Sequence, residues 1–100
     1  MSTIIPVEFL DDENIVKILI ISENHVQRVR IHFKNAYQLS VIIGVDPELD
    51  LTYGARNGLY EIAIFDKEGK MINIEDNGTV LGNCDIAEVK NWIKKVGEYV

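Results

Sequence analysis

One hundred residues are enough for one domain and too few for two. Ten basic against sixteen acidic residues leave a net charge of −6, which works against binding the phosphate backbone of nucleic acids, while 47% hydrophobic residues exclude a disordered tail. The single cysteine, Cys84, excludes an internal disulfide and a multi-cysteine zinc site.

The chain opens Met-Ser-Thr without a basic-then-apolar leader, and its longest uninterrupted apolar run, Ile18 to Ile21, is far too short to span a bilayer, so a reducing cytoplasm is the expected location. Ile4 to Leu10 is apolar but carries Pro6, which predicts an edge strand or a strand start. The polar turn Asp11-Asp12-Glu13-Asn14 leads into Ile15 to Ile21, whose near-continuous apolarity predicts a strand covered on both faces. After a turn at Ser22 to His25, Val26 to Phe33 alternates. Val29, Ile31 and Phe33 face one way, and Arg28, Arg30 and His32 the other. Lys34-Asn35-Ala36 is a tight connection to Tyr37–Ile43, where Leu39 and Val41 alternate with Gln38 and Ser40.

Val45 to Gly58 is irregular, broken by Pro47, Gly54 and Gly58. Leu59 to Phe65 is the next strand, with Tyr60, Ile62 and Ile64 on one side. A hairpin loop, Asp66 to Lys70, returns the chain through Met71 to Glu75. Asn77-Gly78 is a turn signal, and Thr79 to Leu81 adds a short strand. The last segment is helical. Asp85 with Glu88 three residues on forms a capping-box pattern, and Ile86, Val89, Trp92, Ile93 and Val96 share one face. Short polar turns favour antiparallel pairing. The expectation for residues 1–100 is therefore a single α+β domain: a mainly antiparallel sheet of about five to six strands, with one C-terminal α-helix packed on one face.

The chemistry-bearing residues do not assemble into a catalytic set. Asp46, Glu48 and Asp50 have the alternate spacing that opens a calcium loop, but Leu51 stands where that loop needs glycine and Asn57 where it needs glutamate. Gly54 to Gly58 lacks the lysine and following helix of a phosphate loop. Cys84 precedes the helix and reads as a buried thiol, and Trp92 as core. The Arg28, Arg30, His32 stripe reads as the solvent-facing side of its strand, with a contact to an anion as the rival reading. No catalytic, cofactor-binding or metal-binding residue is nominated, and the chain is expected not to be an enzyme. The long loop supplies the candidate interaction residues Asp46, Glu48, Asp50, Tyr53 and Arg56, since an exposed tyrosine among charges can anchor an interface.

From Tyr37 onward the run Tyr37 to Gly44, the loop with Tyr53-Gly54, Gly58 to Asp66, Gly69, Val80-Leu81-Gly82 and the helix Asp85 to Val96 resemble a loose group of small bacteriophage- and prophage-encoded proteins of unknown function. The resemblance covers residues 37–96. It implies a product of the bacterial cytoplasm that binds, and inhibits, a host or anti-phage defence protein, and the acidity of the chain adds the expectation of a basic surface on that partner. The group contributes no catalytic residues. An immunity-type protein neutralising a toxin and a structural subunit self-associating through a sheet edge are the alternatives. Neither direct nucleic-acid binding nor a membrane role is expected.

Overall fold

In the computed structural model, which describes residues 10–23, 26–44, 59–74 and 78–99, the described residues form six strands and one helix. The strands are β1 (Ile15–Glu23), β2 (Val26–Phe33), β3 (Gln38–Gly44), β4 (Tyr60–Phe65), β5 (Met71–Ile72) and β6 (Leu81–Cys84); the helix is α1 (Ile86–Gly97). They make one antiparallel sheet in the order β1-β2-β3-β4-β5, and β6 also pairs with β4. The expected α+β architecture, a sheet with a C-terminal helix on one face, is what the chain adopts.

Register explains which face is buried. Directly opposed residues of an antiparallel pair share a face. Ile31 opposes Ile18 and Leu39, Leu39 opposes Ile64, and Val41 opposes Val29 and Ile62. These rows form the core with Phe33, Ile74 and Cys84, and α1 closes it with Val89, Trp92, Ile93 and Val96. Each such side chain, fully buried, contributes roughly 1.5–3 kcal/mol relative to exposure. The helix begins where the sequence indicates. The Asp85 carboxylate accepts from the Glu88 N–H at 2.8 Å, and Glu88 Oε1 accepts from the Asp85 N–H at 3.3 Å.

The C-terminal end of α1 is held from a distance. Asn35, in the β2–β3 turn, donates its side-chain amide to the carbonyls of Val96 and Tyr99, both at 2.9 Å, while its Oδ1 accepts from the Tyr37 N–H at 3.0 Å. Tyr37 and Tyr99 meet edge to face at 5.2 Å between ring centroids. Gly97 allows the approach: a Cβ there would lie 3.2 Å from both Asn14 Cβ and a Phe33 ring carbon.

Three expectations need correction. The strand read as covered on both faces, β1, is an edge strand among the described residues, and Leu19, Ile20 and Ile21 stay 40–43% exposed. Continuous apolarity marks a demand for burial and does not say where the strand sits. Among the described residues of the return from the Gly69 hairpin, only Met71–Ile72 are in a strand, and Glu75 lies outside the described residues. The last strand lies at Leu81–Cys84 rather than Thr79 to Leu81, because Cys84 pairs with Tyr60. The strand expected at Ile4 to Leu10 lies outside the described residues except for Leu10, which is not in a strand and packs against the core.

Candidate functional site

The face of the sheet away from α1 is built by the alternate residues of four strands and one residue of a fifth. Lys17, Leu19 and Ile21 come from β1, and Arg28, Arg30 and His32 from β2, each set directly opposing the other. β3 adds Gln38, Ser40 and Ile42, opposite His32, Arg30 and Arg28. β4 adds Glu61, Ala63 and Phe65, and Met71 of β5 opposes Phe65. A period of two in each strand, with the helix on the opposite side, forces these residues onto a common surface.

Arg30 crosses this surface diagonally. Its Nη1 donates to Gln38 Oε1 at 2.9 Å, and its guanidinium carbon sits 4.1 Å from the centroid of the Phe65 ring. A planar guanidinium suits both contacts at once, stacking on an aromatic face while its edge donates. Arg30 Nε, however, is buried and makes no hydrogen bond, as is true of His32 Nε2. Burial, followed by repulsion from Arg28, lowers the pKa of Arg30 from its ordinary value, although the group stays charged. Burial, then the charges of Lys17 and Arg30, lowers the pKa of His32, so its imidazole is neutral at pH 7. Beside Arg30, Ser40 and Ala63 are a direct pair and both are buried, giving the middle of the face a floor of small side chains. Around it Leu19, Ile21 and Met71 are exposed large apolar residues, and Lys17 and Arg28 are exposed cations.

The face is therefore basic and apolar on a chain of net charge −6. The arrangement offers fixed positive charge and apolar area, with no nucleophile held against a base.

Compared with protein-family models, curated proteins and solved structures, the chain matches none.

The candidate interaction residues Asp46, Glu48, Asp50, Tyr53 and Arg56 lie outside the described residues, as does His25. Cys84 is buried as expected. Burial first, then Glu88 and Asp85, pushes its thiol up to about 11. It therefore stays protonated in spite of its place at the start of α1. Among the described residues no group of three or more His, Cys, Asp or Glu is close enough to hold a metal ion, and no helix is long and apolar enough to cross a membrane. The Arg28, Arg30, His32 stripe does lie away from the core. Sequence reasoning missed its apolar companions Leu19, Ile21, Phe65 and Met71. The alternation Lys17-Leu19-Ile21 was visible, but only strand order places it beside Arg28 and Arg30.

Proposed function

We propose that this chain is a binding protein, and that the sheet face opposite α1 receives an acidic, amphipathic segment of a protein partner. The observation that carries the reading is the interleaving of Lys17, Arg28 and Arg30 with the exposed Leu19, Ile21 and Met71 on one face of an otherwise acidic molecule. Apolar side chains supply area to bury, and the cations select a partner of opposite sign and speed its encounter. Arg30 is already immobilised by Gln38 and Phe65, so little side-chain entropy remains to be lost when it is covered. With the resemblance to phage-encoded proteins, the partner class we put forward is a bacterial host or defence protein, bound so as to inhibit it. A nucleic acid is disfavoured because the rest of the molecule repels phosphate.

The test is affinity capture from a bacterial lysate with the wild-type chain, with Arg28→Glu/Ile21→Asp, and with a chain altered at Asp46, Glu48, Asp50 and Tyr53. The expected result is one protein with an acidic surface segment, kept by the wild type and the loop variant, lost with the face variant, and released by salt. Loss with the loop variant alone would transfer the contact to the acidic loop and a basic partner. Material removed by nuclease would replace the protein partner with nucleic acid. Either outcome sinks the reading.

A further inference from the structure

One row of the basic face gathers hydrogen-bond donors that lack acceptors. It runs from β1 to β5 as Lys17, His32, Gln38, Phe65 and Met71, each directly opposed to the next. Arg30 belongs to the adjacent row, with Leu19, Ser40 and Ala63, but its guanidinium reaches into this one, donating through Nη1 to Gln38 and lying on Phe65. His32 is therefore flanked by the Lys17 ammonium on the β1 side and the Arg30 guanidinium on the β3 side, and both charges reach it. With strands about 4.8 Å apart, the three groups span about 10 Å. Neither row contains a carboxylate. Two nitrogens are left over. His32 Nε2 and Arg30 Nε are both shielded from water and make no hydrogen bond. The place of Nε matters. Nη1 is spent on Gln38, and the other edge of the guanidinium, Nε with Nη2, is the fork that grips an oxyanion through two parallel hydrogen bonds. Arg30 is thus held in position with the partner of its fork missing, and a shielded donor without an acceptor is costly. Lys17 beside it is exposed, and its flexible stem can swing aside to admit an anion and close on it.

We infer that Lys17, His32 and Arg30 form a phosphoryl subsite, and that the acidic segment received by this face carries a phosphorylated side chain. The inference rests on the docking role proposed above and adds which acid the face selects. Charge separates a phosphoryl group from a carboxylate. Lys17 and Arg30 flank the position, and Arg28 stands one row beyond Arg30, so one carboxylate leaves most of the positive charge uncompensated. A phosphomonoester brings a charge of about −1.5 to −2 at pH 7 and three acceptor oxygens. Donor geometry points the same way. The Arg30 fork takes two oxygens, which leaves the third for the Lys17 ammonium and for His32 in its Nε2–H tautomer. A carboxylate gripped by the fork turns both oxygens toward Arg30 and offers none directly to β1. A phosphodiester backbone fits less well, because each link carries one charge and two unbridged oxygens, and a run of them meets the chain's net charge of −6. Leu19, beside the row, and Met71, at its end, are 40% and 42% exposed. They supply apolar area to whatever flanks the phosphoryl group, which favours a protein segment over free phosphate.

NMR titration of the full chain tests it, following the His32 ring signals as assigned against a His32→Gln spectrum. The probes are a capped Leu-phosphoserine-Leu peptide, its glutamate counterpart, dimethyl phosphate and inorganic phosphate. The phosphopeptide is expected to bind saturably in the millimolar range, about tenfold or more tighter than the glutamate peptide or dimethyl phosphate and several-fold tighter than inorganic phosphate. Arg30→Lys keeps the charge and removes the fork, so it should cost the phosphopeptide about tenfold and the glutamate peptide little. Lys17→Gln, on an exposed side chain away from the Phe65 stack, is the second variant should Arg30→Lys disturb the fold, and it should narrow the same preference. Equal affinity for the two peptides, or a preference that survives both variants, overturns the inference. So does a tighter hold on inorganic phosphate or dimethyl phosphate than on the phosphopeptide, which would make the source free or nucleic-acid phosphate. Capture from lysate with and without prior phosphatase treatment separates this result from the docking role. A partner held through the face before and after phosphatase keeps the docking role and removes the phosphoryl subsite. A partner lost on phosphatase treatment and with Lys17→Gln supports both. Absence of any partner on the face removes the docking role, and the ranking of the probes then decides the subsite by itself.

Discussion

Asn35 closes the end of a helix that begins fifty-one residues later in the chain. Its amide donates to the carbonyl of Val96 in the last turn of α1, which also accepts from the Tyr99 N–H, and to the carbonyl of Tyr99 two residues beyond the helix, so it ties down the chain where the helix's own hydrogen bonds run out. Asn35→Ala removes both bonds and the link to the Tyr37 N–H. It should lower stability by about 1–2 kcal/mol, read as a lower urea midpoint at unchanged slope. The next residue points the other way. Ala36 has φ of 73°, a left-handed conformation that a Cβ disfavours. Ala36→Gly should raise stability by about 0.5–1 kcal/mol in the same titration, because relief of strain outweighs the extra freedom gained by the unfolded chain. Neither residue announced its role in sequence. Lys34-Asn35-Ala36 reads as a turn, and only the packing of the helix end against that turn reveals Asn35 as a cap.

At the scale of elements, legibility tracked periodicity. β2, β3 and β4 each turn their large apolar side chains to the α1 side, so an alternating pattern identifies both the strand and its core side, although Ser40 and Ala63 on the other face are buried too. α1 was readable from its capping box and its apolar stripe at helical spacing. β1 was legible as a strand but not as an edge, because a run such as Ile18 to Ile21 is written the same way whether the sheet's own neighbours cover it or another chain does. β6 was displaced in the reading because Gly82 and Asn83 look like turn residues. Asn83 does adopt φ of 57°, yet the strand continues through it to pair Cys84 with Tyr60. The approach of α1 to the sheet is an element-scale property with a sharp test. Gly97→Val would gain helix propensity over glycine, but its branched side chain would run into Phe33 and Asn14 at a contact already tight for a single Cβ. Crowding should win, with a loss of about 1–3 kcal/mol in denaturant unfolding.

For the whole molecule, the relevant feature is the contrast between an acidic chain and one basic face, and His32 lets pH report on it. His32 stands between Lys17 on β1 and Gln38 on β3, with Arg30 in the next row of the same face and Arg28 and Glu61 two rows away. Burial and the two nearest cations hold its pKa in the folded chain below the ordinary value. The unfolded chain therefore takes up the proton first as pH falls. The stability that His32 contributes is fully present above about pH 6.5 and is lost progressively as pH drops through that value toward the folded pKa. His32→Gln should flatten this part of the stability profile. The complex should respond in the opposite sense. Carboxylates of an acidic partner laid over the face would draw the proton onto His32, raising its pKa above that of the free protein. Binding would then take up protons, and affinity should increase as pH falls from about 7.5 to about 6, by at most about tenfold per pH unit. Isothermal titration at the two pH values, for the wild type and His32→Gln, measures the difference. A gain confined to the wild type places the acidic segment over His32. An affinity that weakens with falling pH in both proteins, as expected for a basic partner bound elsewhere on this acidic chain, excludes that placement.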